Sequence, residues 1–336
     1  MPSAFVRTSI TAVTSAVSVL AVTACGTADE PAANTPETRI STAYVLPDER
    51  AYPEGIALDA RTGDTYVGSY TNGAVYRAAK DATTAEVFLP AGTDGRATAN
   101  GLKVDALGRL WVTDSTSGVT VYDTATRARL ARFEVPGTAP RFVNDVAITP
   151  DGTAYLTDTI RSVVYRVTPD QVAAARGEKA ELATAFDLKA SLEPHAADAF
   201  TLNGIVADPT GRYLLTVDMT GGDLYRIATA PNSPDAIRKV TLAGGDLAHG
   251  DGLELTGTTL RAVQNVTHTL TRWTLSEDYS TATLAQHLTD ESLGLPTTLV
   301  RADNRTLVVS SQFDKGGPMR PGTPATPFQV VAVDGF

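Results

Sequence analysis

A short segment recurs five times along the chain, and it constrains the fold more than any other feature. In each copy, one residue with a side-chain oxygen precedes a short apolar run, then a turn and a second run that ends in a small polar residue. The leading residues are Glu54, Asn100, Asn144, Asn203 and Asp251. They are separated by 44 to 59 residues, and a four-stranded propeller blade takes about 40–50 residues. The repeat therefore predicts the blades of a β-propeller.

A sixth, weaker copy begins at Thr297 or Thr298, which brings the number of blades to six. The segment from Arg39 to Leu46 has the composition of a strand, and the last copy is one strand short. We expect this segment to pair with Phe328–Val333, which closes the ring and removes an exposed edge. The prediction is an all-β, six-bladed propeller over residues 39–336, with four antiparallel strands per blade and the leading residues around one axis.

Composition and charge fit this fold and limit the partners. Of the residues, 43% are hydrophobic, which is enough for a core. The formal net charge of −10 argues against a nucleic-acid partner, because binding to phosphates requires a basic face. After residue 25, no apolar run is long enough to span a bilayer. We expect a monomer that acts on a small molecule.

The first 24 residues are predicted to be a signal peptide rather than part of the fold. Arg7 is their only charged residue, and the segment after it is apolar or small. It ends at Val22-Thr23-Ala24-Cys25, which resembles a bacterial lipobox, in which the cysteine is lipidated. Cys25 is the only cysteine, so the chain cannot form an internal disulfide. The alternative is an ordinary cleaved signal with an incidental cysteine.

Residues 25–38 are small, polar and proline-containing, which is typical of a flexible linker. With a lipid on Cys25, this linker would hold the domain at the outer face of the cell membrane. The chain is thus expected to be an exported lipoprotein whose membrane contact is the lipid alone, or else a secreted protein.

Insertions within the repeats are expected to shape the surface. The segments Lys189–Phe200, which contains His195, and Asp314–Pro324 both fall on the face that carries the leading residues. They are candidates for pocket walls, and the alternative is that they are plain surface loops. Thr168–Gly177 predicts a short helix on the opposite face, with a threonine cap, proline at its first position and a glycine stop.

The leading side chains have the chemistry of a cation site. Glu54 and Asp251 would bring two carboxylates to the axis, and Asn100, Asn144 and Asn203 would bring amide oxygens. Buried carboxylates without a partner are unfavourable, so such a pair requires a cation. Hard oxygen donors without His or Cys favour Ca²⁺ over zinc or copper, while Mg²⁺ and Mn²⁺ stay possible. The alternative is that Asn and Asp before Gly only form turns, but five occurrences at one blade position favour a metal.

These motifs resemble the gluconolactonase / senescence-marker-protein (regucalcin-like) superfamily of six-bladed propellers, which is related to paraoxonase and diisopropyl fluorophosphatase. The resemblance covers residues 39–336, and the segment Phe142-Val143-Asn144-Asp145 is similar to the paraoxonase pattern. Members bind Ca²⁺ or another divalent ion with Glu from blade one, Asn from blades three and four, and Asp from blade five. The resemblance thereby implies these metal ligands: Glu54, Asn144, Asn203 and Asp251.

Two positions depart from the family pattern. Asn100 in blade two is not one of the four ligands, and its position implies a second-sphere or water-mediated contact. The gluconolactonases have an arginine two residues before the blade-three asparagine, whereas Arg141 lies three residues before it. A role for Arg141 in gripping substrate is therefore not carried over.

The resemblance implies hydrolysis of a lactone or related ester. The metal would polarise the carbonyl and stabilise the developing oxyanion, and Asp251 would be the general base or the nucleophile. Further candidates for contacts to the metal shell or to substrate are Asn100, Asp145, Asp158, His195 and His249. For each histidine, a structural or surface placement is the alternative, and neither member of the paraoxonase His dyad is matched. The other two histidines, His268 and His287, have no predicted role.

A second class of function fits the same motifs. A non-catalytic propeller at the cell surface could bind a ligand or a protein, with a calcium ion that only ties the blades together. An ion with four protein ligands keeps room for water or substrate, which favours the enzyme. A mouth plugged by the proline-rich loop of blade six would favour the binding protein.

The lipobox interpretation makes one prediction for the whole chain. Cys25→Ser removes the only site for the lipid, so we expect the variant to move from the membrane fraction to the soluble fraction. Cell fractionation followed by immunoblotting measures this, with the unaltered chain as control. An unchanged distribution would show that Cys25 does not anchor the protein.

Overall fold

The computed structural model of the chain describes residues 1, 4, 38–196, 198–230, 233 and 235–336. The chain divides into two units, Met1–Pro36 and Glu37–Phe336, and every described strand belongs to the second. Apart from residues 1, 4 and 38, the predicted signal peptide (1–24) and the predicted lipid-attached linker (25–38, with Cys25) lie outside the described residues. None of the described helices has the length and apolar character needed to cross a membrane.

Six sheets follow one another around a ring, which confirms the predicted six-bladed β-propeller. The first half of the described chain contributes the closing strand and blades 1 to 3. Its strands are β1 (Arg39–Val45), β2 (Pro53–Leu58), β3 (Thr65–Ser69), β4 (Val75–Ala78), β5 (Glu86–Leu89), β6 (Leu102–Val104), β7 (Arg109–Asp114), β8 (Gly118–Asp123), β9 (Arg129–Glu134), β10 (Val143–Ile148), β11 (Ala154–Asp158), β12 (Val163–Val167), β13 (Lys179–Glu181) and β14 (Ala183–Asp187). Blade 1 is β2 to β5, blade 2 is β6 to β9, and blade 3 is β10 to β12 with β14.

The second half contributes blades 4 to 6. Its strands are β15 (Leu202–Ala207), β16 (Tyr213–Asp218), β17 (Asp223–Ala228), β18 (Ile237–Lys239), β19 (Thr241–Ala243), β20 (Gly250–Thr256), β21 (Thr259–Gln264), β22 (Thr269–Leu275), β23 (Thr281–Thr289), β24 (Pro296–Ala302), β25 (Arg305–Ser310) and β26 (Gln329–Asp334). Blade 4 is β15 to β18, blade 5 is β20 to β23, and blade 6 is β24 to β26 with β1. Two short 3-10 helices span Thr93–Gly95 and Glu291–Leu293.

Two blades have five strands instead of the predicted four. Strand β13 pairs in parallel with β9 of blade 2, and β19 pairs in parallel with β23 of blade 5. Both extra strands belong to connections that run along the outside of a neighbouring blade. They cover backbone groups that an outermost strand would otherwise expose, and this is a common way to protect a sheet edge.

The ring closes through the chain ends, as predicted. Strand β1 pairs antiparallel with β26, from Arg39 opposite Asp334 to Val45 opposite Gln329. The innermost strands β2 and β24 are in contact, so the first and last blades meet as the other neighbours do.

The predicted short helix is α1 (Pro169–Ala175). The Thr168 hydroxyl accepts from the Gln171 backbone N–H, and the Gln171 side chain accepts from the Thr168 backbone, which is a capping box. The helix ends where Arg176 and Gly177 take positive φ angles of 48° and 80°.

The core consists of six apolar clusters, one between each pair of neighbouring blades. Trp111 of blade 2 packs towards blade 3, and Trp273 of blade 5 packs towards blade 4; both side chains are fully buried. Because the apolar contacts lie between the blades, the axis itself is left to the polar ends of the inner strands.

Candidate metal centre

The predicted leading residues share one structural position at the start of the innermost strands. In five blades, the pairing of the first strand with the second shifts register across two residues, the leading residue and the next one. The pairs are Glu54-Gly55, Asn144-Asp145, Asn203-Gly204, Asp251-Gly252 and Thr297-Thr298. A register shift of this kind changes the direction of the side chains, so that they depart from the regular alternation between the two faces of the sheet. In blade 2, Asn100 precedes β6 and its N–H donates to the Thr113 carbonyl.

The leading side chains are buried, and several of their polar atoms have no partner. The exposed fractions are 6% for Glu54, 4% for Asn144 and 0% for Asn100. Among the described residues, Glu54 Oε2, Asn144 Oδ1 and both polar side-chain atoms of Asn100 lack a hydrogen bond. Buried oxygens without a partner are unfavourable, so they indicate a ligand that they bind. An oxygen-binding cation fits this arrangement.

Electrostatic interactions show that the carboxylates converge. Burial, followed by the charges of Asp251 and Asp145, raises the pKa of Glu54 well above its ordinary value. Burial also raises the pKa of Asp251 to about 7, against the lowering effect of the Asn265 amide and with a further increase from Asp145. A divalent cation at this point would remove the repulsion that favours the protonated forms.

The amide groups of blades 3 and 4 are held by the residue that follows the second strand. Asn144 Nδ2 donates to Thr159 Oγ1 at 3.0 Å, which leaves the Asn144 oxygen for the axis. Asn203 Nδ2 contacts Met219 Sδ at 3.5 Å. Thr159 and Met219 come directly after β11 and β16, so they are equivalent positions of the repeat.

Blade 5 follows the same rule at its acidic residue. Asn265 comes directly after β21, and its Nδ2 donates to Asp251 Oδ2 at 2.9 Å. One carboxylate oxygen of Asp251 is thereby fixed. Thr159, Met219 and Asn265 were not predicted, although their common place one residue after each second run is a signal in the sequence.

Asp145 links two blades next to the ring. Its Oδ1 accepts from the Val146 N–H at 2.8 Å, and its Oδ2 accepts from the Ile205 N–H of blade 4 at 3.2 Å. Burial raises its pKa, and the charge of Lys103 in blade 2 lowers it. Asp145 thus adds a third carboxylate to the centre while its oxygens bind backbone N–H groups.

Asp158 is engaged by groups of blade 3 and of the loop that precedes it. Its buried carboxylate accepts from the backbone N–H groups of Phe142 and Arg161, both at 3.0 Å, and from the Tyr165 hydroxyl at 2.8 Å. These contacts fix the loop that leads into blade 3, and they occupy the carboxylate that was a candidate for substrate contact.

The two candidate histidines lie beside the ring rather than in it. His195 Nε2 is 2.6 Å from Oδ2 of the buried Asp218 at the end of β16, so it fastens the 189–200 loop to blade 4. The His249 side chain is exposed, and its backbone N–H donates to the Met219 carbonyl at 2.8 Å while its carbonyl accepts from Asn265 at 3.0 Å. His249 thereby joins two of the residues that hold the leading side chains.

The other basic side chains named above, those of His268, His287 and Arg141, bind groups of the protein itself. Nδ1 of His268 accepts from the Leu295 N–H at 3.0 Å, and His287 Nε2 is 3.3 Å from the Thr289 hydroxyl. Arg141 donates to the carbonyls of Val135, Gly137 and Ala139, so its guanidinium fixes its own loop.

A metal at the axis would depend on amide oxygens as well as carboxylates. Among residues 38–336, as far as they are described, no group of three or more His, Cys, Asp or Glu side chains is placed to hold a metal ion. Elsewhere, a groove of about 570 Å³ lies between blades 6 and 1, at the turns on the face opposite the leading residues. Its basic side chains are paired, Arg61 with Asp59 at 2.7 Å, Lys80 with Asp303 at 3.6 Å and Arg305 with Asp334 at 3.0 Å. The centre at the axis is therefore the stronger candidate.

Comparisons with known proteins support the fold. No family model matches the chain, and no curated protein matches it. Among solved structures, a gluconolactonase from Xanthomonas campestris superposes with a TM-score of 0.62 and 18% identity over 89% of this chain and 90% of that chain. A calcium-binding protein, regucalcin, from Agrobacterium tumefaciens gives 0.58 and 16% over 88% and 94%. A virginiamycin B lyase from Staphylococcus aureus gives 0.53 and 11% over 89% and 99%.

These similarities confirm the predicted structural resemblance to gluconolactonase-like and regucalcin-like six-bladed propellers. At such identities the likeness is one of fold, and the lyase shares that fold as well.

The raised pKa values predict how the stability of the metal-free protein depends on pH. The folded state binds the Asp251 proton more tightly than the unfolded state does. Stability is therefore greatest below the unfolded pKa of about 4 and falls as the pH rises to about 7. Glu54 contributes in the same direction. In chelator near pH 8, we expect Asp251→Asn to be more stable than wild type by on the order of 2–4 kcal/mol, and near pH 4 about equal.

Urea unfolding at both pH values measures the difference, and the exposed Asp187 provides the control variant Asp187→Asn. A destabilised Asp251→Asn variant at the higher pH would contradict the interpretation of Asp251 as a buried, repelled carboxylate.

Proposed function

We propose that this protein is an exported hydrolase of a lactone or related ester that depends on a divalent metal, most simply Ca²⁺. The observation that carries the proposal is the set of unpartnered, buried oxygens of Glu54 and Asn144 beside the carboxylate of Asp251. The structural similarity to a gluconolactonase and to a calcium-binding regucalcin supports it at the level of fold.

The donor set fits calcium. Glu54 and Asp251 would contribute two carboxylates that balance the charge of the ion, and Asn144 and Asn203 would contribute amide oxygens. Calcium takes about 6–8 oxygen ligands, so four from the protein leave positions for water and for a substrate oxygen. Asn100 is a further candidate for contact with the ion or its water, because its buried amide has no partner among the described residues.

When bound, the cation supplies a Lewis acid for the substrate carbonyl and for the oxyanion that develops from it. Asp251 is the group of this chain that would move the proton. Asn265 holds its Oδ2, which leaves Oδ1 to accept a proton from the attacking water. The alternative role for the same oxygen is direct attack on the carbonyl. Thr159 would keep the Asn144 oxygen directed at the centre.

The proposal includes the place of action. A signal peptide over residues 1–24 would export the chain, and Cys25 with the 25–38 linker would hold the propeller at the outer face of the membrane. Extracellular calcium would be available to a site of moderate affinity in that position. The fractionation of the Cys25→Ser variant tests this part independently of the chemistry.

The metal is tested first. We expect elemental analysis of the purified 39–336 domain to find one calcium per chain, and the melting temperature to fall with chelator and recover with Ca²⁺. Glu54→Gln removes one charge from the donor set, so calorimetric titration should show at least roughly tenfold weaker binding. The exposed Glu49 gives the matched control Glu49→Gln.

An unchanged affinity in Glu54→Gln would remove Glu54 from the site. Absence of both a bound metal and a chelator effect would contradict the metal centre and direct attention to ligand binding instead.

The chemistry is tested at Asp251. Loss of a general base lowers rates by about 10²–10⁴-fold, so we expect Asp251→Asn to lose at least roughly a hundredfold in hydrolysis of lactones and phenyl esters. A pH-stat assay with Ca²⁺ measures the rate, and circular dichroism checks the fold. Asp187→Asn serves as control. Undiminished turnover would exclude Asp251 from the mechanism.

A further inference from the structure

Four aromatic side chains form a continuous series of ring contacts above the candidate centre. The ring centroid of Tyr70 lies 5.3 Å from that of Phe313 and 6.4 Å from that of Phe142, and the Tyr70 and Phe142 rings are stacked. Phe142 in turn lies 5.6 Å from Phe200. We call these four residues, Tyr70, Phe142, Phe200 and Phe313, the aromatic rim.

The position of the rim in the repeat places it on the face of the leading residues. Tyr70 and Phe313 follow the second strands of blades 1 and 6, and Phe142 and Phe200 precede the first strands of blades 3 and 4. Blades 1 and 3 are not neighbours, so the contact of Tyr70 with Phe142 passes over the inner end of blade 2. Burial, followed by the charge of Glu54, raises the pKa of Tyr70. Geometry also places the rim beside the centre, because Thr159, whose hydroxyl accepts from the Asn144 amide, donates its backbone N–H to the Phe142 carbonyl at 2.9 Å.

The outer end of the rim is open to solvent. Phe200 is 47% exposed, and Met319, whose N–H donates to the Phe313 carbonyl at 3.1 Å, is also 47% exposed. Ile160, which follows the Thr159 that binds Asn144, is 37% exposed. Large apolar side chains that stay exposed next to a buried polar centre are typical of a ligand-binding surface.

Two of the cationic side chains at this edge, Arg141 and Arg161, are committed to the backbone. Arg141 binds carbonyls of its own loop, and Arg161 donates to the carbonyls of Ala139 and Pro140. Neither guanidinium is free to bind the hydroxyl groups of a sugar. Beside Phe142 the surface therefore offers aromatic faces rather than free guanidinium groups.

We propose that the aromatic rim binds an apolar acyl or aryl substituent of the substrate, so that the protein prefers hydrophobic esters and lactones to polyhydroxylated sugar lactones. This inference rests on the proposed hydrolase function and specifies its substrate class. Burial of one methylene group corresponds to a factor of about fourfold in affinity. Selectivity should therefore rise with acyl length until the rim is covered.

The experiment compares kcat/KM for p-nitrophenyl acetate, butyrate, hexanoate and octanoate in the calcium-loaded protein, together with D-glucono-δ-lactone. We expect the octanoate to exceed the acetate by at least roughly tenfold. In Phe200→Ala this ratio should fall towards one, because the exposed end of the rim is removed. Leu107 is 72% exposed on the turn between β6 and β7, at the opposite face, so Leu107→Ala is the matched control and keeps the wild-type ratio.

Hydrolysis with equal kcat/KM across the series, or a ratio that Phe200→Ala leaves unchanged, would overturn the inference while the hydrolase proposal stands. A gluconolactone rate above that of the octanoate would overturn it as well.

A second measurement does not require catalysis. Fluorescence titration with the neutral dye Nile red, in chelator, should show saturable binding to wild type and to Leu107→Ala and at least roughly tenfold weaker binding to Phe200→Ala. If no ester is hydrolysed, saturable binding that Phe200→Ala weakens supports the rim although the hydrolase proposal fails. Absence of binding, or equal binding to all three proteins, overturns the rim.

Discussion

The repulsion among buried carboxylates at the axis is the constraint on which the rest of the structure depends. Burial raises the pKa of Glu54, Asp145 and Asp251; the charges of Asp251 and Asp145 raise that of Glu54 further, and the charge of Asp145 raises that of Asp251. Lys103 is the cation that acts on this group, through Asp145. Such a cluster is stable only if protons or a metal ion neutralise it, and if the backbone that holds it cannot spread apart. The packing between blades provides the second condition.

The inner strands approach one another too closely for ordinary side chains beside the ring. A Cβ on Gly55 would lie 2.0 Å from the Asn100 carbonyl oxygen, and one on Gly204 would lie 2.2 Å from that of Asp251. Hydroxyl groups then tie neighbouring blades together. Thr157 donates to the Asn203 carbonyl and Thr297 donates to the Glu54 carbonyl, each at 2.7 Å. Leading residues of adjacent blades are thereby fixed through their backbones, and their side-chain oxygens stay free for the axis.

The sequence predicts the common position of the leading residues, because each of them recurs after 44 to 59 residues at the start of an innermost strand. Closure by β1 follows from the same counting, since blade 6 had only three strands of its own. The outer strands β13 and β19 were not predicted, because short segments in long connections carry no periodic signal. The aromatic rim was also missed. Its members come from different places in the repeat, and only the tertiary arrangement of four blades brings Tyr70 to Phe142 and Phe313.

The aromatic rim and the charged centre reinforce each other physically. Aromatic side chains on the face of the leading residues would lower the local dielectric, which strengthens every charge interaction at the axis. This increases the penalty for an empty, ionised centre and the gain when a cation is bound. The rim also provides a surface of low polarity for the acyl or aryl group of an ester whose carbonyl oxygen lies at the leading residues. Since this fold also occurs in a lyase, the propeller itself does not indicate hydrolysis. The proposed reaction rests on Asp251, which Asn265 fixes, and on the aromatic rim.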